Sequence, residues 1–206
     1  MSFYEEKILP HIIDCGCGTK AAMDMRAHIV PLAYGDVLEV GMGSALNLGL
    51  YNTDKVNKVW GLEPSLGMRK RAEKNLQASP VHVDWLDLPG EQIPLADESV
   101  DSIVLTFTLC TIPDWRAAMQ QMLRVLKPNG TLFFCEHGQA PDLSIQKWQD
   151  RLNPLWGNLF GGCNLNRPVI KNIESEGFSV EWAENEYMDM GPRFMSYMTW
   201  GAAHKA

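Results

Sequence analysis

Two carboxylates and two glycines stand at a spacing suited to holding a nucleoside. Glu39 lies two residues before Gly41-Met42-Gly43-Ser44-Ala45, and Glu63 follows Gly41 by 22 residues. Glycines at 41 and 43 let the backbone approach a ligand closely and expose its N–H groups. A carboxylate at the end of the next strand can accept hydrogen bonds from both hydroxyls of a ribose. The dinucleotide fingerprint G-x-G-x-x-G/A wants a small sixth residue for close helix–strand packing, and this chain has Leu46 there. The turn carries no Arg or Lys either. An adenosyl ligand without phosphates fits it better than a dinucleotide. A nucleotide-dependent oxidoreductase on a Rossmann-like fold and a non-catalytic adenosyl-binding protein stand as the alternatives.

These groups converge only if strands end beside one another. Short apolar runs at Asp36–Val40, Lys58–Leu62, Val81–Leu86, Val100–Phe107 and Thr131–Cys135 read as buried strands. Helices alternate with them. One is opened by Pro64 and Ser65 and runs to Gln77. Another spans Trp115–Leu126, with Trp115, Ala118, Met119, Met122, Leu123 and Leu126 on one stripe. Strand–helix alternation predicts an α/β fold, doubly wound and Rossmann-like, around a mostly parallel seven-stranded sheet. Phe178–Tyr187 and Phe194–Ala202 are expected to close that sheet as a C-terminal antiparallel hairpin. Asp142–Leu152 reads as a helix, Asn153–Pro168 as irregular chain, and Arg167–Glu176 as a helix stopped by Gly177. Before the first strand, Tyr4, Ile8, Leu9, Ile12 and Ile13 share a helix face ended by Gly16 and Gly18, and a second short helix covers Ala21–Ile29. The organisation expected is a single domain over 1–206. It comprises an N-terminal helical lid (1–34), a cofactor-binding core (35–140) and a substrate-side insertion with closing strands (141–206).

The chain has 206 residues, 46% of them hydrophobic and 21% charged, as a globular domain should. A net charge of −7 repels phosphate backbones, so no nucleic-acid partner is expected. No apolar run is long enough to span a bilayer, and the first residues lack the pattern of a signal peptide, which points to a cytoplasmic location. The five cysteines are odd in number, against a disulfide framework. Cys15-Gly16-Cys17, near His11 and His28, has no second pair at zinc-finger spacing, and no metal is expected there.

The segment Leu38–Asn47 resembles motif I of the class I S-adenosylmethionine-dependent methyltransferases. Gly90-Glu91-Gln92-Ile93-Pro94 through Asp101 resembles the family's approach to its fourth strand. Arg124-Val125-Leu126-Lys127-Pro128-Asn129-Gly130 resembles the turn before its fifth, with Asn129 in place of the usual first glycine; asparagine tolerates a left-handed backbone. Thr108–Ile112, Glu136-His137-Gly138 and Gly161-Gly162-Cys163 to Arg167 are similar to the methyltransferase-like 7 group of thiol methyltransferases and its soluble bacterial relatives.

That resemblance implies S-adenosylmethionine as cofactor and S-adenosylhomocysteine as product. Glu39, Gly41, Gly43 and Asn47 would serve the methionine portion and Glu63 the ribose. Pro64, Met68, Gly90 and Glu91 would sit by the adenine, and Thr106 and Phe107 by the sulfonium. The acceptor is expected to be a small molecule, a thiol among the candidates. The sequence at the end of the fourth strand, Thr106-Phe107-Thr108-Leu109, lacks the Asp/Asn-Pro-Pro-aromatic tetrad common among nucleobase amino methylases. His137 is the candidate base at the same sheet edge, and against it stands a histidine that merely hydrogen-bonds a tight turn. Cys110, Trp148 and Cys163 are candidates for the substrate pocket, with Trp156 and Phe160 as a further apolar wall.

Overall fold

The computed structural model describes Tyr4, residues 8–189 and residues 191–206. Its elements are α1 (Leu9–Cys17), α2 (Lys20–Ala27), β1 (Gly35–Val40), β2 (Val56–Leu62), α3 (Leu66–Ala78), β3 (Val83–Leu86), β4 (Val100–Thr106), α4 (Trp115–Val125), β5 (Leu126–His137), α5 (Leu143–Leu159), α6 (Val169–Ser175), β6 (Phe178–Tyr187), α7 (Arg193–Ser196) and β7 (Tyr197–Lys205). The seven strands lie in the order β3-β2-β1-β4-β5-β7-β6. β1 to β5 run parallel, while β7 is antiparallel to both β5 and β6. The order reverses between β1 and β4, and ligands of open α/β sheets bind in the crevice at such a switch point.

The central strands bury both faces, which is why they read as unbroken apolar runs. Successive side chains of β1 enter opposite layers. Val37 packs with Met25, Ile29 and Tyr51, while Leu38 and Val40 pack with Met119 and Met122. Helix α4 turns Ala118, Met119, Met122 and Val125 into that second layer; burying each methionine stabilises the fold by about 1.5–3 kcal/mol. Asp114 caps α4 by accepting from Ala117 N at 3.1 Å. Arg124 binds the carbonyls of Ile93 and Leu95, both at 2.8 Å, and so holds the 90–101 segment against the helix.

Three expectations need correction. The chain after Leu152 is not irregular: α5 continues through Pro154 to Leu159. Tertiary contacts outweigh the proline there. Gln149, buried in this helix, bonds the backbone of Gly138, Ala140 and Phe194 at 2.9–3.0 Å and fixes α5 to the sheet edge. The last strand starts at Tyr197, not Phe194, because Arg193–Ser196 form a helical turn after Pro192. The helix expected from Arg167 begins at Val169, since Pro168 is its N-cap. No helix among the described residues is long and apolar enough to cross a membrane.

Candidate functional site

The turn after β1 is built on left-handed backbone at Gly41 (φ 69°), Gly43 (φ 59°) and Ala45 (φ 62°). A Cβ on Gly41 would come within 2.3 Å of the Thr108 side chain, so no other residue fits. Glu63, at the end of β2, braces this turn: Oε2 accepts from Gly43 N at 2.9 Å and Oε1 from Ser65 N at 2.8 Å. Ser65 also caps α3 by accepting from Met68 N. Burial pushes the Glu63 carboxyl above its ordinary range, although those two amides oppose the shift. A cavity of about 200 Å³ opens here, lined by Gly41, Gly43, Glu63, Met68, Thr106 and Phe107, all singled out from the sequence.

Glu39 and Asn47 lie beneath this cavity, not on its wall. Glu39 is 1% exposed and accepts from Asn47 Nδ2 at 2.9 Å and Tyr51 OH at 2.7 Å. Burial lifts its carboxyl to about 7 against those two bonds and the Arg26 charge. Asn47 passes the network on: Nδ2 reaches Thr106 Oγ1 at 3.1 Å, and Oδ1 accepts from Arg26 Nη1 at 2.9 Å. Arg26 arrives from α2. It donates to Thr106 Oγ1 at 2.6 Å and stands 4.8 Å from the centre of the Phe107 ring. It lines the cavity at 5% exposure, and its Nε has no partner. A buried guanidinium with a spare donor is a ready place for an anion. Sequence reading missed Arg26 because it belongs to no motif and sits on a short helix far from the glycine turn. Pro64, Gly90 and Glu91 do not line the cavity. Gly90 packs against Ile112 and Ala118, and Glu91 accepts from Asp114 N at 3.3 Å.

A second cavity, of about 220 Å³, adjoins the first. Ile13, Cys17, Phe107 and Thr111 line both. Its other walls include Cys110, His137, Trp156, Phe160, Cys163 and Met195. Trp148 is not among them: it is 54% exposed on α5, and the apolar wall comes from Trp156 stacked on Phe160 at 4.1 Å. His137 does not hydrogen-bond backbone through Nε2; that nitrogen lies 3.1 Å from Cys163 Sγ. Cys163 Sγ also takes a bond from Trp156 Nε1 at 3.3 Å and stands 3.7 Å from Cys110 Sγ. The Cys110 contact and the imidazole beside it hold the Cys163 thiol below its ordinary range. Cys110 is pushed up by the same contact and by burial. Glu136 accepts from Thr108 N at 2.6 Å and Leu109 N at 3.0 Å, which shapes the loop after β4; its Oε2 is buried without a partner.

The helices α1 and α2 supply much of both walls. Asp14 on α1 accepts from Ser44 Oγ and from Arg71 Nε at 3.1 Å, tying α1 to the glycine turn and to α3. Among the described residues, Cys110, His137 and Cys163 form the one cluster with metal-ligand spacing; Cys15 and Cys17 are not in it.

Residues 38–134 match the family model described as a methyltransferase domain. The chain is 34% identical over 169 residues to thiol S-methyltransferase TMT1B of Rattus norvegicus, an alignment covering 77% of this chain and 68% of that protein. Among solved structures, a SAM-dependent methyltransferase of Leishmania major superposes with a TM-score of 0.67 at 15% identity, covering 97% of this chain and 80% of that one. The [4+2]-cyclase SpnF superposes at 0.69 and 16% identity, covering 89% of this chain and 80% of that one. The shared architecture therefore shows the fold alone, and the sequence relatives carry the family.

Proposed function

We propose, from the premise that this chain belongs to the S-adenosylmethionine-dependent methyltransferases, that it methylates the sulfur of a small, largely apolar thiol. The family membership makes it an enzyme acting on a small-molecule acceptor. The assignment of sulfur and of individual residues is our reading.

One observation carries the reading. Two cavities meet at Phe107, one lined by the glycine turn, Glu63 and Arg26, the other apolar and walled in part by a Cys–His–Cys cluster. The residues of the first fit S-adenosylmethionine: Arg26 Nε is an orphaned buried donor suited to a carboxylate, and the turn at Gly41 leaves no room for a Cβ. In this account Glu63 accepts from the ribose hydroxyls, and Gly41 and Gly43 lie along the methionine portion. Met68 packs by the adenine, with Pro64, Gly90 and Glu91 behind it. Thr106 and the Phe107 ring flank the sulfonium, and Glu39 and Asn47 hold Arg26 and Thr106 in place. The cofactor supplies an electrophilic methyl group on a good leaving group. What remains for the protein is alignment and exclusion of water, and positioning of this kind is worth about 7–11 kcal/mol in favourable cases.

A thiol acceptor suits the second cavity because its walls are apolar and because one sulfur on them, Cys163 Sγ, lies 3.1 Å from the His137 imidazole, which favours the ionised form of that thiol. His137, the candidate base, faces this cavity, but its Nε2 is engaged by Cys163. Its basicity therefore reaches an acceptor as part of the pair. Helices α1 and α2, within the 1–34 lid, cover both cavities.

Calorimetric titration with S-adenosylhomocysteine, with NAD in parallel, tests the first cavity. Micromolar binding of the former and none of the latter is the expected result. Turnover of a panel of matched small thiols, phenols and amines tests the second, and preference for phenols or amines would overturn the sulfur assignment.

A further inference from the structure

The cluster on the wall of the acceptor cavity is laid out like a ligand set. The Cys110 and Cys163 sulfurs and a ring nitrogen of His137 all lie within 4.8 Å of one another. Zinc binds sulfur at about 2.3 Å and imidazole nitrogen at about 2.0–2.1 Å in a tetrahedron. Those lengths place two sulfur ligands about 3.7–3.8 Å apart, and a sulfur and a nitrogen about 3.5 Å apart. Cys110 Sγ and Cys163 Sγ are already 3.7 Å apart. His137 Nε2 and Cys163 Sγ, at 3.1 Å, need to open by a few tenths of an ångström, and Cys110 and His137, within 4.8 Å of each other, need to settle at the sulfur–nitrogen spacing.

The surroundings match as well. Both cysteines are reduced and buried. Trp156 Nε1 donates to Cys163 Sγ, and such a bond strengthens when the sulfur is an ionised ligand. All three side chains line the apolar cavity. Two thiolates and one imidazole with a cavity against them make an open site, the arrangement of catalytic zinc, where structural sites close all four positions. The soft donor set selects zinc over magnesium or calcium.

We propose that Cys110, His137 and Cys163 bind a zinc ion whose fourth position takes the thiol of the methyl acceptor. This deepens the thiol reading above and rests on it. The acceptor's sulfur coordinates zinc and its proton leaves to solvent, since a coordinated thiol is deprotonated. A sulfur lone pair then forms the new bond to the methyl carbon. The bond from that carbon to the sulfonium breaks, and its electron pair stays on the departing sulfur as S-adenosylhomocysteine. The thioether product is uncharged, a weaker ligand, and leaves the ion.

The test uses the 206-residue protein purified under reducing conditions without chelators. Metal analysis is expected to find about one zinc per chain, falling at least tenfold in Cys163→Ser and in His137→Ala but not in Cys15→Ser, whose thiol is exposed and outside the cluster. Cobalt added to the stripped protein should give thiolate-to-metal charge-transfer bands. A small thiol should shift those bands and the matching alcohol should not. Binding of S-adenosylhomocysteine, measured on each variant, shows that the variants fold. Wild-type protein that binds S-adenosylhomocysteine yet takes up neither zinc nor cobalt at micromolar concentration would overturn the inference. So would undiminished thiol methylation by metal-free enzyme, and that outcome would leave the thiol reading standing. Zinc retained without thiol turnover would instead sink the acceptor assignment.

Discussion

Removing the Arg26 guanidinium should weaken the enzyme's grip on one end of its cofactor and leave the other end alone. Arg26 is 5% exposed, bonds Asn47 Oδ1 at 2.9 Å and Thr106 Oγ1 at 2.6 Å, and keeps Nε free. A hydrogen bond to a charged group contributes about 1.5–3 kcal/mol, which corresponds to about 10- to 150-fold in affinity. Arg26→Met keeps most of the apolar stem that packs by Phe107. It should therefore lower S-adenosylhomocysteine affinity by that factor. The variant should bind 5′-methylthioadenosine, which has no carboxylate, within about twofold of the wild type. Arg26→Lys restores charge without the Nε donor and should fall between. Calorimetry with both ligands, plus a melting curve for each variant, reads all of this. An equal loss for both ligands would refute the carboxylate assignment, and so would no loss for either in a folded variant.

Glu63→Ala should weaken S-adenosylhomocysteine and 5′-methylthioadenosine alike, each by at least about tenfold, since the ribose acceptor serves both; selective loss of one would contradict the ribose role. Affinity in the wild type should fall as pH drops through the Glu63 pKa, which burial sets above 4.5, and Glu63→Gln should flatten that part of the profile. Burial likewise raises Glu39 from 4.5 to about 7, so the native state holds this proton more tightly than the unfolded chain. Its contribution to stability is then fully present below 4.5 and declines as pH rises to about 7. Denaturant melts of wild type and Glu39→Gln across that range should differ in slope accordingly. Gln149→Leu leaves three backbone groups without their partner and should destabilise the fold by about 1–3 kcal/mol for each group that water cannot reach, read as a lower urea midpoint. Deleting residues 1–30 should raise the apparent KM for acceptor, because α1 and α2 wall both cavities.

The parallel core was legible because its physics is local. Val100–Thr106 is an apolar run buried on both faces, and α4 carries an unmistakable stripe. The glycine turn was legible because close backbone approach admits few residues: at Gly41 the Thr108 side chain leaves no space. The rest depends on partners distant in sequence. Helix α5 passes through Pro154 because Gln149 is bonded to two other segments, at Gly138 and Ala140 before it and at Phe194 45 residues after it. Arg26 joins the site through Asn47 and Thr106, from a helix with no motif of its own. His137 and Cys163 were each singled out, but 26 residues separate them, and only the fold puts their reactive atoms in contact. Trp148 and Trp156 are both tryptophans of α5, yet only Trp156 faces the cavity. The turn that selects between them is set by packing.

Mass spectrometry of the products from S-adenosylmethionine carrying a deuterated methyl group, incubated with the enzyme and a small apolar thiol, tests the account most directly. The predicted result is a deuterated S-methyl thioether formed in equal amount to S-adenosylhomocysteine. Label on oxygen or nitrogen of a bifunctional acceptor, or none on sulfur from protein that binds S-adenosylhomocysteine, would contradict it.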